Sequence, residues 1–148
     1  MPSMKILLIA GGWSSEREVS LTGVRGMQEA LLKRGHAVTF FDLLENFDEL
    51  LETARQHDFA LINLHGSPGE DGLVQAMLEK AGCPYQGSGP SGSFLALNKA
   101  AAKQIFRMAG LPTADWEFLP VRPAEGWEPR LPWPLFVKTT TGGSSLRL

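Results

Sequence analysis

A chain of 148 residues is long enough for one ordinary domain, burying roughly 70% of the surface its unfolded form exposes, or for a small domain joined to part of another. A hydrophobic share of 43% and a charged share of 20% belong to a soluble globular protein and exclude a disordered one. Fourteen basic residues against sixteen acidic ones leave a net charge of −2, and the absence of any basic run or stripe removes support for a nucleic-acid partner.

In chain order, Ile6-Leu7-Leu8-Ile9 is an unbroken apolar run before Gly11-Gly12, the pattern of a strand buried on both faces. The run is too short for a signal-peptide core or a membrane span. Together with a single cysteine, Cys83, which has no internal disulfide partner, this gives a cytoplasmic expectation. Residues 16–34 read as a helix with Val24, Met27 and Leu31 on one face and Ala30 beside them. Ser15 and Glu18 fit a capping box at its start, and Gly35 ends it. Residues 37–44 read as a second strand, 48–55 as a short helix, 59–64 as a third strand and 73–81 as a helix stopped by Gly82. Strands alternating with helices through short connections predict an α/β fold with a parallel sheet and right-handed crossovers.

The character changes near Gly87, where GSGPSG is rich in turn formers and marks a domain boundary. Residues 94–109 read as one helix closed by Gly110, and 115–119 as a strand. Residues 120–134 contain five prolines and read as a surface loop. Residues 135–138 read as a strand whose edge is left unpaired, opening into TTTGGSS. No internal repeat is present.

Ligands of open parallel sheets gather outside the carboxyl ends of the strands, and three segments fall at such ends. The first, GGWSSEREVS, lacks the G-x-G-x-x-G spacing of a dinucleotide site, and no P-loop motif occurs anywhere. Glu16 suits two readings: a first-turn acid favoured by the helix dipole, or a carboxylate holding a ligand's ammonium group. The second, HGSPGEDG, has Gly66, Gly69 and Gly72, which permit tight corners and close backbone approach. Asp71 suits a helix cap. His65 stands directly at a strand's carboxyl end, as a ligand contact or as a histidine bonded within its loop. The third, FVKTTTGGSS, sets Lys138 before a glycine- and hydroxyl-rich loop, a combination that suits phosphate and equally suits an exposed lysine before a linker. Lys99 reads as a phosphate contact or as a solvated helix lysine.

Taken together, GGWSSEREVSLTG, HGSPGEDGLVQAMLEKAGCPYQGSGPSGSFLALNKAAAK, AGLPTADW and LFVKTTTGGSS resemble the D-alanine–D-alanine ligase family of ATP-grasp enzymes. They occur in that family's order and spacing and cover nearly the whole chain apart from the proline-rich loop. The resemblance implies a Rossmann-like (pre-ATP-grasp) parallel sheet with flanking helices over residues 1–90. The beginning of an ATP-grasp domain, incomplete here, follows over residues 91–148. It implies ATP-dependent joining of two D-alanines for peptidoglycan precursors: ATP phosphorylates one carboxylate, and the second amine attacks the acyl phosphate through a tetrahedral intermediate.

By the same resemblance, Glu16 matches the acid that binds the first D-alanine's ammonium, and Ser144 matches a serine bonded to that acid. His65 matches the histidine near the acylating centre. Lys99 and Lys138 match the lysines on the ATP phosphates, with Ser145 beside them. The chain departs from the family pattern at Asn98, where aspartate is usual, at Thr139, where proline is usual, and at Arg147, where the loop's last glycine is usual. Partners implied are D-alanine, ATP, Mg2+ in the complete enzyme and a second copy of the chain as a homodimer. The family's magnesium ligands and most of its adenine pocket match nothing in this sequence, so a polypeptide of these residues alone is expected to be inactive. A non-catalytic module that binds D-amino acids or assembles with a partner, and a ligase using D-lactate or D-serine, are the competing expectations.

Overall fold

A computed structural model describes residues 2–142. Three parallel strands form a sheet in the order β2-β1-β3: β1 (Lys5–Ala10), β2 (Ala37–Asp42) and β3 (Phe59–Ile62). The apolar run explains the central place of β1, since a strand flanked on both sides and covered on both faces offers no position for a polar side chain. Leu7 and Ile9 point into a core built from Leu43, Leu50, Ala54, Val74 and Leu78. Leu8 and Ala10 point the other way, against Val24, Leu21 and Met27. Each fully buried leucine or isoleucine contributes about 1.5–3 kcal/mol relative to exposure, so this one strand is the largest single contributor to the core.

The helix α1 (Arg17–Lys33) covers one face of the sheet. Its apolar stripe is shifted from the expected one: Leu21 joins Val24 and Met27, while Ala30 is exposed. The expected capping box is not formed. Glu16 occupies the N-cap without a side-chain cap bond, and Ser14 organises the turn instead, its Oγ accepting from the Glu16 N–H at 3.1 Å. The second strand stops two residues earlier than its composition predicts. Asp42 takes an extended conformation and accepts from the Leu44 N–H, starting a short helix α2 (Leu43–Asn46). The expected helix over 48–55 is a 3-10 turn, Phe47–Glu49, running into α3 (Leu50–Ala54).

Helix α4 (Leu73–Ala81) has the expected bounds, and Gly35, Gly82 and Gly110 all take positive φ just beyond helices. The edge of β3 is partly covered. Ala60 bridges Tyr85 in parallel, and the Gln86 side chain both accepts from the Ile62 N–H (3.0 Å) and donates to its carbonyl (2.6 Å). A side-chain amide thus stands in for a strand on an edge that would otherwise be open.

Beyond that edge three expectations fail. The helix expected over 94–109 is two helices, α5 (Pro90–Leu97) and α6 (Lys99–Met108). Asn98 sits between them with extended backbone and its Oδ1 accepts from the Ala101 N–H, because an asparagine there makes a good cap for a new helix. Helix α5 begins earlier than expected, at Pro90. Residues 115–119 and 135–138 form no strand. An extended segment becomes a strand only when a neighbour supplies the ladder, and among the described residues none does.

Candidate functional site

The carboxyl ends of β1 and β3 bring together the first two glycine-rich segments. After β1, residues 11–16 turn back so that Glu16 is buried, 8% exposed. After β3, residues 63–66 run beside it. A methyl group placed on Gly66 would stand 3.4 Å from Glu16 Oε2 and 3.4 Å from Ser14 Cβ. The Glu16 carboxylate therefore lies against the backbone corner that carries His65, which is itself half-buried. Glu16 and His65 thus stand at the same end of the sheet. No hydrogen bond among the described residues engages the Glu16 carboxylate.

Several residues that spacing did not single out build this mouth. Ser20, fully buried one turn into α1, accepts from the Gly11 N–H at 2.8 Å and donates its hydroxyl proton to the Asn63 carbonyl. The Asn63 amide donates back to the Ser20 carbonyl at 2.7 Å. The Ser20 N–H bonds to the Glu16 carbonyl at 3.1 Å. Arg17, beside the acid, makes a two-pronged ion pair with Asp42 at the end of β2, at 2.7 and 2.6 Å, and reaches the Gly12 carbonyl at 3.3 Å. The guanidinium's hydrogen bonds hold the Asp42 carboxyl below its ordinary range against the opposing effect of burial, with the Leu44 N–H assisting. Asp42 in turn raises the Arg17 pKa. Trp13 closes the outer side of the first loop, its ring edge-on to Phe47 at 5.3 Å between centroids. Asp71 accepts from the Leu73 N–H at 3.0 Å, the helix-start role its sequence position suits.

Lys99 and the third segment form a separate pairing. The Lys99 N–H donates to the Thr140 carbonyl at 2.9 Å, and its ammonium donates to the Gly142 carbonyl. Thr139 Oγ1 accepts from the Gly142 N–H at 3.1 Å. Lys138 is exposed two residues before Thr140. The start of α6 and the threonine-glycine loop are thus joined, but no hydrogen bond among the described residues ties them to the Glu16–His65 mouth. Ser144, Ser145 and Arg147 lie outside the described residues. Among the described residues no group of three His, Cys, Asp or Glu side chains is placed to hold a metal ion, and no helix is long and apolar enough to cross a membrane.

Fold and site together define an α/β domain with a parallel sheet, with an acid and a histidine just past the carboxyl ends of adjacent strands. Comparison with known proteins narrows that class. The chain is related over nearly its whole length to D-alanine–D-alanine ligases: it is 77% identical over 145 residues to the D-alanine–D-alanine ligase of Desulfovibrio desulfuricans, covering 98% of this chain and 47% of that one. It is 69% identical to that of Nitratidesulfovibrio vulgaris strain Hildenborough, over 98% of this chain and 48% of the other. Among solved structures, the D-alanine–D-alanine ligase of Bacillus anthracis superposes with a TM-score of 0.71 and 42% identity over 78% of this chain and 38% of that one. The same enzyme complexed with ATP gives 0.73 and 38% identity over 84% and 43%. The chain spans about half the length of the curated relatives it matches. No protein-family profile matches it.

Proposed function

We propose that the protein, at the full length of its relatives, is an ATP-dependent ligase that joins two D-alanines into D-alanyl-D-alanine in the cytoplasm, for peptidoglycan synthesis. Residues 1–90 form the amino-acid-binding domain in this reading, and residues 91–148 begin the ATP-grasp domain. The observation that carries it is the carboxylate of Glu16, a residue 8% exposed, lying against the His65-Gly66 corner with no hydrogen bond to it among the described residues. A carboxylate at the mouth of a sheet is matched in charge and size by the ammonium of an amino acid, and the pairing is a charge-assisted one. Such pairing leaves the substrate's own carboxylate directed away from Glu16, towards whatever supplies the phosphoryl group.

In the first step that carboxylate's oxygen bonds to the γ-phosphorus of ATP, the bond to the β-phosphate oxygen breaks, and ADP leaves. In the second, the amine of another D-alanine attacks the acyl carbon, sheds a proton, and expels inorganic phosphate. Phosphorylation is required because an oxide ion is too poor a leaving group for direct attack. His65 is assigned to the reacting carboxyl, and Lys99 and Lys138 to the ATP phosphates. Lys99 then has to release the Gly142 carbonyl to reach a phosphate. Ser144, as a partner of Glu16, and Ser145, beside the phosphates, are assigned on their motif alone. Mg2+ belongs to this chemistry in the family, but the described residues offer no cluster that fits it, and none of them is assigned as its ligand. A homodimer completes the reading.

The test is D-alanine-dependent release of phosphate from ATP by the full-length protein, wild type against Glu16→Gln. Activity that falls at least tenfold, mainly through a raised KM for D-alanine, is expected from loss of a charge-assisted contact worth about 1.5–3 kcal/mol. Wild-type protein without D-alanine-dependent turnover would refute the function, and an unaltered Glu16→Gln enzyme would refute the site.

A further inference from the structure

We propose that Ser20 and Asn63 are positioning residues that set the distance between the acid and the imidazole, forming a staple across the mouths of β1 and β3; this rests on the ligase reading above. Three chain segments meet at these two side chains. The Ser20 hydroxyl takes the Gly11 N–H from the end of β1 and gives its proton to the Asn63 carbonyl just past β3. The Asn63 amide returns a bond to the Ser20 carbonyl on α1, and the Asn63 N–H donates to the Ile9 carbonyl at 2.8 Å. Ser20 is one helical turn from Glu16 and holds its carbonyl through the Ser20 N–H, whereas Asn63 is two residues from His65.

The space for this staple is specific. A methyl group on Gly23 would stand 3.0 Å from the Asn63 amide nitrogen, so α1 approaches the loop closely only because it presents no side chain there. The Ser20 hydroxyl and the Asn63 amide nitrogen bond to backbone and not to the Glu16 carboxylate. Their effect on the site is through relative placement: without the staple, α1 and the β3 loop are free to shift against each other. A mismatch near 1 Å in such a site costs on the order of a hundredfold in rate.

Steady-state kinetics of the full-length protein with Ser20→Ala, Asn63→Ala and the double variant test this. Each single variant is expected to raise the KM for D-alanine by about tenfold, an intermediate loss for partial misplacement, with the KM for ATP changed less than twofold. The double variant is expected to be no worse than the poorer single one, because both cut the same staple. A merely structural role would lower the active fraction, and so the apparent kcat, and leave both KM values alone; that result overturns the proposal, as does a multiplicative double variant. If Ser20→Ala fails to fold, Asn63→Ala carries the test, since Asn63 is only half-buried. If the wild type proves inactive, the ligase reading falls, and the staple is then judged by the His65 ring-proton resonances in Asn63→Ala: a shift supports the coupling, and unchanged positions sink it.

Discussion

Gly72 and Gly82 bracket helix α4, one at each end, and both have left-handed backbone, with φ of 93° and 74°. Their surroundings differ. A methyl group on Gly82 meets nothing within 4 Å, whereas one on Gly72 runs into the Pro90 carbonyl, with the carbonyl carbon 3.0 Å away. Alanine at either site bears a conformational penalty of roughly 1–2 kcal/mol. At Gly72 it adds an overpacking cost of about 1–3 kcal/mol, because the obstacle is backbone and cannot rotate aside. Gly72→Ala should therefore lose ~2 kcal/mol more than Gly82→Ala. With a urea m-value of about 2 kcal/mol/M, that difference separates the unfolding midpoints by about 1 M. Gly26→Ala serves as the opposite control. Gly26 lies inside α1 with open space around it, and alanine there should add up to ~1 kcal/mol. The assay is urea unfolding followed by far-ultraviolet circular dichroism. Equal midpoints for Gly72→Ala and Gly82→Ala would show that α5 does not press against the start of α4, and the reasoning would fail with it.

Two further outcomes follow from the electrostatics. Asp42 has its folded pKa depressed below the ordinary 3.8, chiefly by the Arg17 hydrogen bonds, so its stabilisation is complete above that value and disappears as pH falls through the lower, folded one. Asp42→Asn should melt below wild type at pH 7, and the gap should close in that acid range; a gap independent of pH would show that the pair contributes nothing through charge. Cys83 is buried, and burial, aided by the Asp58 charge, raises its thiol pKa above the ordinary value. The reactive species is the thiolate, so iodoacetamide at pH 8 should label the native protein far more slowly than protein unfolded in urea. Equal rates would mean that the sheet does not cover Cys83.

Much of the sheet domain was legible in the chain itself. An apolar run with no alternation requires cover on both faces, and β1 has it, with Leu7 and Ile9 on one side and Leu8 and Ala10 on the other. Helix α4, closed by Gly82, kept its expected bounds because apolar periodicity and a terminal glycine agreed. Local pattern was a poorer guide where two signals competed. The alanine-rich stretch that reads as one helix is broken at Asn98, whose side chain prefers to cap, and Asp42 ended a strand in the same way. The motifs pointed to Glu16 and His65, yet not to Ser20, Asn63 or the Arg17–Asp42 pair, since a serine or an arginine within a helix carries no mark of its distant partner.

Sequence alone determined that the first strand is covered on both faces, where the glycine-bounded helices stop, and that the first two glycine-rich segments stand at strand ends, because these depend on periodicity and on the backbone freedom of neighbouring residues. Only the tertiary structure decided that the Glu16 carboxylate lies against the His65-Gly66 corner, and that Ser20 and Asn63 bond α1 to the segment after β3. Hydrogen bonds spanning 43 positions of the chain depend on how the sheet brings distant segments together, and no local pattern encodes that.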